Sequence, residues 1–310
     1  MHLLIPYASA LSDACQHTLK DLQLPVLTQV LARLAPALRS QADEDSLSPP
    51  HERALARALG LSGPDGGLPW GAWLAARDGI TTGDLNWALL TPAHWHVGTD
   101  QVTMLDPQTL QLGEEESREL LEAVRELFES EGYVLVWGAA TRWYAAHESF
   151  RELPTASPDR VIGRNVHAWM PEHPQFSRVR RLQNEVQMLL YTHTLTDRRI
   201  ERGLPPVNSF WLSGCGPAQP ALDPPALVVD TRLRDAWFAE DWAAWAEAWH
   251  ELERGPLTLA LAALQRGAPV RLTLCGERSA QDFELRDGGW WTRLKQRWQR
   301  TQPADVLLNL

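Results

Sequence analysis

"LPPVNSFWLSGCGP", residues 204–217, is the stretch whose reading decides the fold. An apolar run, Phe210 to Leu212, leads into Gly214-Cys215-Gly216. Such a run, bounded by turn residues, reads as a strand buried on both faces. The two glycines permit positive φ and a close approach by another backbone. The expectation is a central strand of an α/β sheet that ends in a sharp turn. Cys215 could instead be a nucleophile, which requires a helix N-terminus or a basic neighbour to lower its pKa. His193, Arg198 and Arg199 lie upstream, near in sequence only. No Lys-Ser/Thr pair follows the glycines, so the stretch is not a P-loop.

The flanking segments alternate helix and strand. Upstream, "SRVRRLQNEVQMLLYTH" places Val179, Leu182, Val186 and Leu189 on one helical face. Downstream come a proline-rich loop, the strand "ALVVD" and the helix "RDAWFAEDWAAWAEAWHELERG" ending at Gly255. "PLTLALAALQRG" reads as a helix, "VRLTLCG" and "FELR" as strands, "WWTRLKQRWQR" as a helix and "DVLLNL" as a last strand. At the other end, "HLLIPYA" is a strand. Helical spacing then runs from about Asp13 to Leu38, interrupted at Pro25, with Leu27, Val30, Leu31 and Leu34 on one face. Arg39 to Pro50 reads as an exposed loop, and "HERALARALGL" as a short helix. From Trp70 to Pro171 the texture is different: short strands in "WALLTPAHWHVGTDQVTMLDP", the strand "YVLVWG", and one strong helix carrying Leu120, Leu121, Val124 and Leu127. The expected architecture is therefore α/β, a mostly parallel sheet sandwiched by helices, built from residues 1–69 and 172–310. Residues 70–171 form a smaller inserted α+β domain.

Composition narrows the function classes. The chain has 310 residues, a net charge of −10 and 15 tryptophans. The negative balance argues against general nucleic-acid binding, which needs a positive field. The first residues show no basic, apolar and cleavage regions of a signal peptide, and no apolar stretch is long enough to span a bilayer. Cys15, Cys215 and Cys275 are odd in number and widely spaced, which reads as reduced thiols and a cytoplasmic location.

Several side chains are candidates for chemistry. His94 and His96 alternate on one strand, a spacing that can present two imidazoles to a metal, with Asp100 and Asp106 nearby. Trp242, Trp245 and Trp249, with Phe238 a turn earlier, form a stripe that reads as core or as a protein-interaction face. Trp290, Trp291 and Trp298 interleave with Arg293, Lys295, Arg297 and Arg300, as a solvated face or a stacking platform for single strands.

"NEVQMLLYTHTLTDRRIERGLPPVNSFWLSGCGP" resembles a motif of the archaeal-type, cofactor-independent phosphoglycerate mutases, of the alkaline-phosphatase-like superfamily. His193, Arg199, Gly203, Asn208, Gly214 and Gly216 fall at the matching places, and Thr194 and Thr196 replace a proline and an asparagine. "LLIP" is similar to the first strand of that family, and "LPVLTQVLARL" to a helix near its start. Over nearly its full length the chain resembles the bacterial regulatory proteins of the RpfE type. The resemblance implies an alkaline-phosphatase-like fold and two divalent metals on Asp and His ligands around a Ser or Thr nucleophile. Its first strand should end in Asp-Gly, where this chain has Tyr7-Ala8. The later metal segment is missing as well: no histidine follows His250. The expected function is thus a regulatory or ligand-binding role without cofactor or catalytic residue. A phosphorylated or anionic small molecule would be held by Arg164, Arg199 and Asn208 beside Gly214 and Gly216. A protein partner could engage the tryptophan-rich helix. The alternative is an active mutase or phosphatase that holds Mn or Zn on rearranged ligands including His94 and His96.

Overall fold

The computed structural model describes residues 1–224, 226–285 and 302–310. The helix expected over 290–300, with its basic and aromatic side chains, lies outside the described residues. Two compact units emerge: Met1–Glu44, Pro49–Leu59 and Leu222–Leu310 form the first, and Asp45–Ser48 with Gly60–Ala221 the second. The boundaries expected from sequence were 69/70 and 171/172. Among the described residues no helix is long and apolar enough to cross a membrane.

With elements numbered along the chain, the first unit holds a five-stranded sheet in the order β2-β11-β10-β1-β9. Its strands are β1 (His2–Ile5), β2 (Leu34–Gln41), β9 (Leu227–Val229), β10 (Arg271–Cys275) and β11 (Ser279–Leu285). β1 runs parallel to β10 and to β9, whereas β10 with β11 and β11 with β2 are antiparallel. The sheet is mixed, which corrects the expectation of a mostly parallel one. The cause is local: Gly276–Arg278 is too short a link for a crossover, so β10 and β11 must close as a hairpin. Helices α1 (Asp13–Asp21), α2 (Pro25–Leu31), α10 (Trp242–Leu252) and α11 (Thr258–Gln265) pack Leu19, Leu27, Val30, Trp245, Trp249 and Leu261 with Leu3, Ile5, Leu272 and Leu274. α3 (Pro50–Leu59) and α9 (Arg234–Phe238) complete this unit with α12 (Pro303–Leu308).

Three local readings are corrected here. The helix expected to reach Leu38 stops at Leu31, and residues 34–41 become β2. Pro36 cannot sit inside a helix, but it is tolerated on an edge strand, which β2 is. The tryptophan helix is two helices, α9 and α10, because Glu240 turns to φ +51 and Asp241 caps α10 by accepting from the Ala244 N–H. "DVLLNL" is helical, with Pro303 at the first position of α12.

The second unit contains α4 (Trp70–Arg77), β3 (Asn86–Ala93), β4 (Trp95–Val97), β5 (Val102–Met104), α5 (Glu114–Ser130), β6 (Val134–Ala139), β7 (Arg142–Ala146), α6 (Pro158–Val161), α7 (Phe176–Tyr191), α8 (Thr194–Glu201) and β8 (Ser209–Pro217). Its sheet runs β6-β7-β3-β8 and is antiparallel throughout; β4 and β5 form a separate hairpin. β8, the strand of the opening stretch, is an end strand rather than a central one. Its continuous burial reflects helices on both faces, not neighbours on both edges. On one face Phe210 and Leu212 meet Val179, Leu182 and Val186 of α7 and Leu120, Val124 and Phe128 of α5. On the other face α4 crosses the strand.

Candidate functional site

In sheets with parallel strands, ligands bind where the carboxyl ends of those strands open. In the first unit that place lies beyond Ile5, Val229 and Cys275. β1 exits into Pro6 and Tyr7, and Tyr7 adopts φ +58, a left-handed conformation disfavoured for a residue with a side chain. The Ala8 N–H donates to the Cys275 carbonyl at 2.8 Å, which pins the exit to the end of β10.

Aromatic rings fill this position. The Tyr7 ring lies 5.6 Å from Trp237, 5.6 Å from Phe238 and 4.9 Å from the His51 imidazole of α3, centroid to centroid. The Trp245 indole donates to the Tyr7 carbonyl at 3.0 Å, and the Trp237 indole to the Ser9 carbonyl at 3.1 Å. Tyr7 and Ala8 are buried. The carboxylates at the neighbouring strand ends are engaged. Asp230 receives both Nε and Nη2 of Arg232, at 2.8 and 2.9 Å, and Glu277 accepts from the Leu11 N–H at 3.0 Å.

A two-metal phosphoryl-transfer centre needs several unengaged carboxylates and imidazoles around one space. Within this unit the end of β1 offers packed aromatic rings, and Asp230 and Glu277 at the neighbouring strand ends are paired with protein groups. The imidazole packed against Tyr7 is that of His51, whose ring nitrogen lies within 4.8 Å of a Glu52 carboxylate oxygen, two groups of the kind a divalent cation takes.

The candidate ligand-binding residues and the His94/His96 pair lie in the second unit and are largely engaged with protein. Arg199 is buried. Its Nη1 donates to Glu116 at 2.5 Å, its Nε to the Pro205 carbonyl at 2.9 Å, and its Nη2 to the Leu110 carbonyl. All three guanidinium nitrogens are thus committed to holding α8 and the 204–207 segment against α5. Asn208 accepts from the Trp95 N–H at 2.7 Å and donates to the Trp95 carbonyl at 3.0 Å. Arg164 lies against the Trp169 ring, 5.8 Å from its centroid.

Gly214 and Gly216 have a structural explanation. Trp87 pairs with Gly216 and Leu89 with Ser213, so Gly214 and Cys215 together face the single residue Ala88. This is a β-bulge, with Gly214 at φ +63. A Cβ on Gly214 would sit 2.7 Å from the Trp70 Cβ and 3.0 Å from the Gly71 nitrogen, so the bulge is where α4 meets the strand. The extra residue also reverses the alternation. Cys215 therefore joins Phe210 and Leu212 in the core, and burial pushes its thiol up to about 12. A nucleophile needs the opposite shift.

The His94 and His96 rings lie 6.4 Å apart. His94 Nδ1 is 2.7 Å from the Pro206 carbonyl, and burial lowers its pKa. Among the described residues, no third His, Cys, Asp or Glu joins these two as a ligand set. Of the tryptophan stripe, Trp245 and Trp249 are fully buried core, while Trp242 and Phe238 pack partly buried against the same cluster. Sequence reasoning missed Trp237 as part of the packing around Tyr7. The signal available was an aromatic pair, Trp237-Phe238, soon after the strand "ALVVD".

No family model matches the chain. A "Probable 2,3-bisphosphoglycerate-independent phosphoglycerate mutase" of Geobacter sulfurreducens is 28% identical over 104 residues, 33% of this chain and 26% of that protein. The match therefore spans about a quarter of the relative's length. Among solved structures, a cofactor-independent phosphoglycerate mutase from Thermoplasma acidophilum superposes with a TM-score of 0.39 at 14% identity, covering 100% of this chain and 99% of that one. The PH0037 protein of Pyrococcus horikoshii gives 0.42 at 12% identity, covering 95% and 92%.

Proposed function

We propose that this protein works by binding, in a regulatory role, on a scaffold similar to cofactor-independent phosphoglycerate mutase, and that it does not transfer phosphoryl groups. One observation carries the reading: at the carboxyl end of β1, Tyr7 packs on Trp237, Phe238 and His51 where metal ligands would have to converge. Bare divalent cations require carboxylates to offset their charge, and the rings of Tyr7, Trp237 and Phe238 cannot supply them. The regulatory role and the RpfE-type grouping rest on the sequence resemblance and belong to the same proposal. So does the cytoplasmic location, which the three free, buried cysteines suit. A phosphorylated or anionic small molecule would have to be held without Arg199, whose nitrogens are engaged.

The test is metal analysis of protein purified without chelator, beside a phosphoglycerate mutase assay with added Mn²⁺ or Zn²⁺. The expected outcome is no stoichiometric metal and no turnover above the blank. Bound metal with turnover would overturn the proposal. Loss of both in His51→Ala, or in His94→Ala/His96→Ala, would then locate the ligands.

A further inference from the structure

A groove of about 1120 Å³ opens in the second unit between α7, α8 and the β4–β5 hairpin. Two of its lining side chains are buried and carry an atom without a hydrogen-bond partner: Gln183, 1% exposed, at Oε1, and Trp95, 6% exposed, at Nε1. The Gln183 amide nitrogen is already bound to the Phe210 carbonyl at 3.2 Å, so its oxygen is the acceptor left over. A buried polar atom without a partner is costly, and natural proteins keep few of them. One donor and one acceptor are thus left over on buried side chains that line the same groove, a pair whose chemistry complements the C=O and N–H of a peptide group.

The edge of β4 points to the same occupant. The side chain of Asn208 takes both the N–H and the C=O of Trp95, standing in for one rung of a neighbouring strand. By the two-residue alternation of a strand, Val97 turns its N–H and C=O to the same edge. Val97 is 75% exposed and lines the groove. Tyr191 and Ile200, 82% and 56% exposed, supply apolar surface on the helical side. Charge disfavours an anion: the groove has one arginine, Arg180, against one carboxylate, Asp197.

We infer that this groove binds an uncharged, extended peptide segment that adds to the free edge of β4. Its backbone continues the ladder at Val97 beyond Asn208, one of its peptide groups meets Trp95 Nε1 and Gln183 Oε1, and an apolar side chain rests on Tyr191 and Ile200. Every residue involved belongs to the second unit, so the inference does not depend on the metal chemistry of the first.

The test selects a displayed library of random decapeptides on the immobilised full-length protein, followed by ¹H–¹⁵N spectra with a selected peptide. Expected are enriched peptides that shift the Trp95 indole resonance and slow exchange of the Val97 amide. Their affinity should fall at least about tenfold in Trp95→Phe and in Tyr191→Ser. Tyr191 is exposed, so the second variant tests contact without endangering the fold. The inference is overturned if no peptide is enriched over a blank surface, if the selected peptides bind both variants as they bind the wild type, or if inorganic phosphate displaces them.

Discussion

Gly214 shows how a single residue without a side chain sets a crossing of elements. Any side chain there must adopt φ +63 and also displace Trp70 or Gly71 of α4. Gly214→Ala should therefore lower stability by about 2–3 kcal/mol. Gly203→Ala has a similar φ of +70 but nothing within 4 Å, and should lose only about 1 kcal/mol. Urea midpoints of the two variants check the difference; equal losses would mean that α4 does not rest on the bulge. The glycines were legible as positions of positive φ and close approach. The partner was not, since Trp70 and Gly71 are distant in sequence. His2 offers a second test. Its Nε2 lies 2.8 Å from Thr273 Oγ1, and burial, reinforced by the Arg271 charge, brings its pKa from 6.5 to about 4. The folded pKa lies below the unfolded one, so between these values the unfolded chain binds more protons. The contribution to stability is present above about pH 6.5 and is lost as pH falls toward 4. Urea midpoints at pH 7 and pH 5 should drop more in the wild type than in His2→Asn, and equal drops would acquit His2.

At the scale of elements, burial was easier to read than partnership. The amphipathic patterns of α5 and α7 gave most of their core positions, because a 3.6-residue period reports which side meets apolar neighbours. Phe128 and Leu190, however, are fully buried where Leu127 and Leu189 were expected, and those two are only half-buried. The same logic misplaced β8: a run of apolar residues reports two covered faces and says nothing of how many strands lie beside it. It also carried the α2 helix past Pro36, where the need for an edge-strand position decided otherwise. Arg199 is the clearest case of a residue type read apart from its element. An arginine before a glycine turn suited phosphate. Instead α8 delivers its guanidinium to Glu116 in the acidic first turn of α5 and to two backbone carbonyls. Glu116→Ala would leave that buried cation short of its counter-charge. We expect a loss of about 3 kcal/mol in chemical denaturation. A loss under about 1 kcal/mol would show that the two carbonyls alone suffice for Arg199, as in a screened surface pair.

For the whole molecule, the decisive question is what occupies the carboxyl end of β1. The sequence showed Tyr7-Ala8 in place of the Asp-Gly that the mutase resemblance implies. It could not show what fills the space, because Trp237 and Phe238 arrive there only once β9 has paired with β1 and α9 has folded back. The short β10–β11 link likewise turned an expected parallel sheet into a mixed one. The proposal that aromatic packing stands here in place of a metal centre places a plain demand on the purified protein. The most direct measurement is metal content by mass spectrometry after purification without chelator, with the mutase assay run on the same sample. The account predicts substoichiometric Mn and Zn and no turnover with either ion added. Stoichiometric metal accompanied by phosphoglycerate mutase turnover would contradict it.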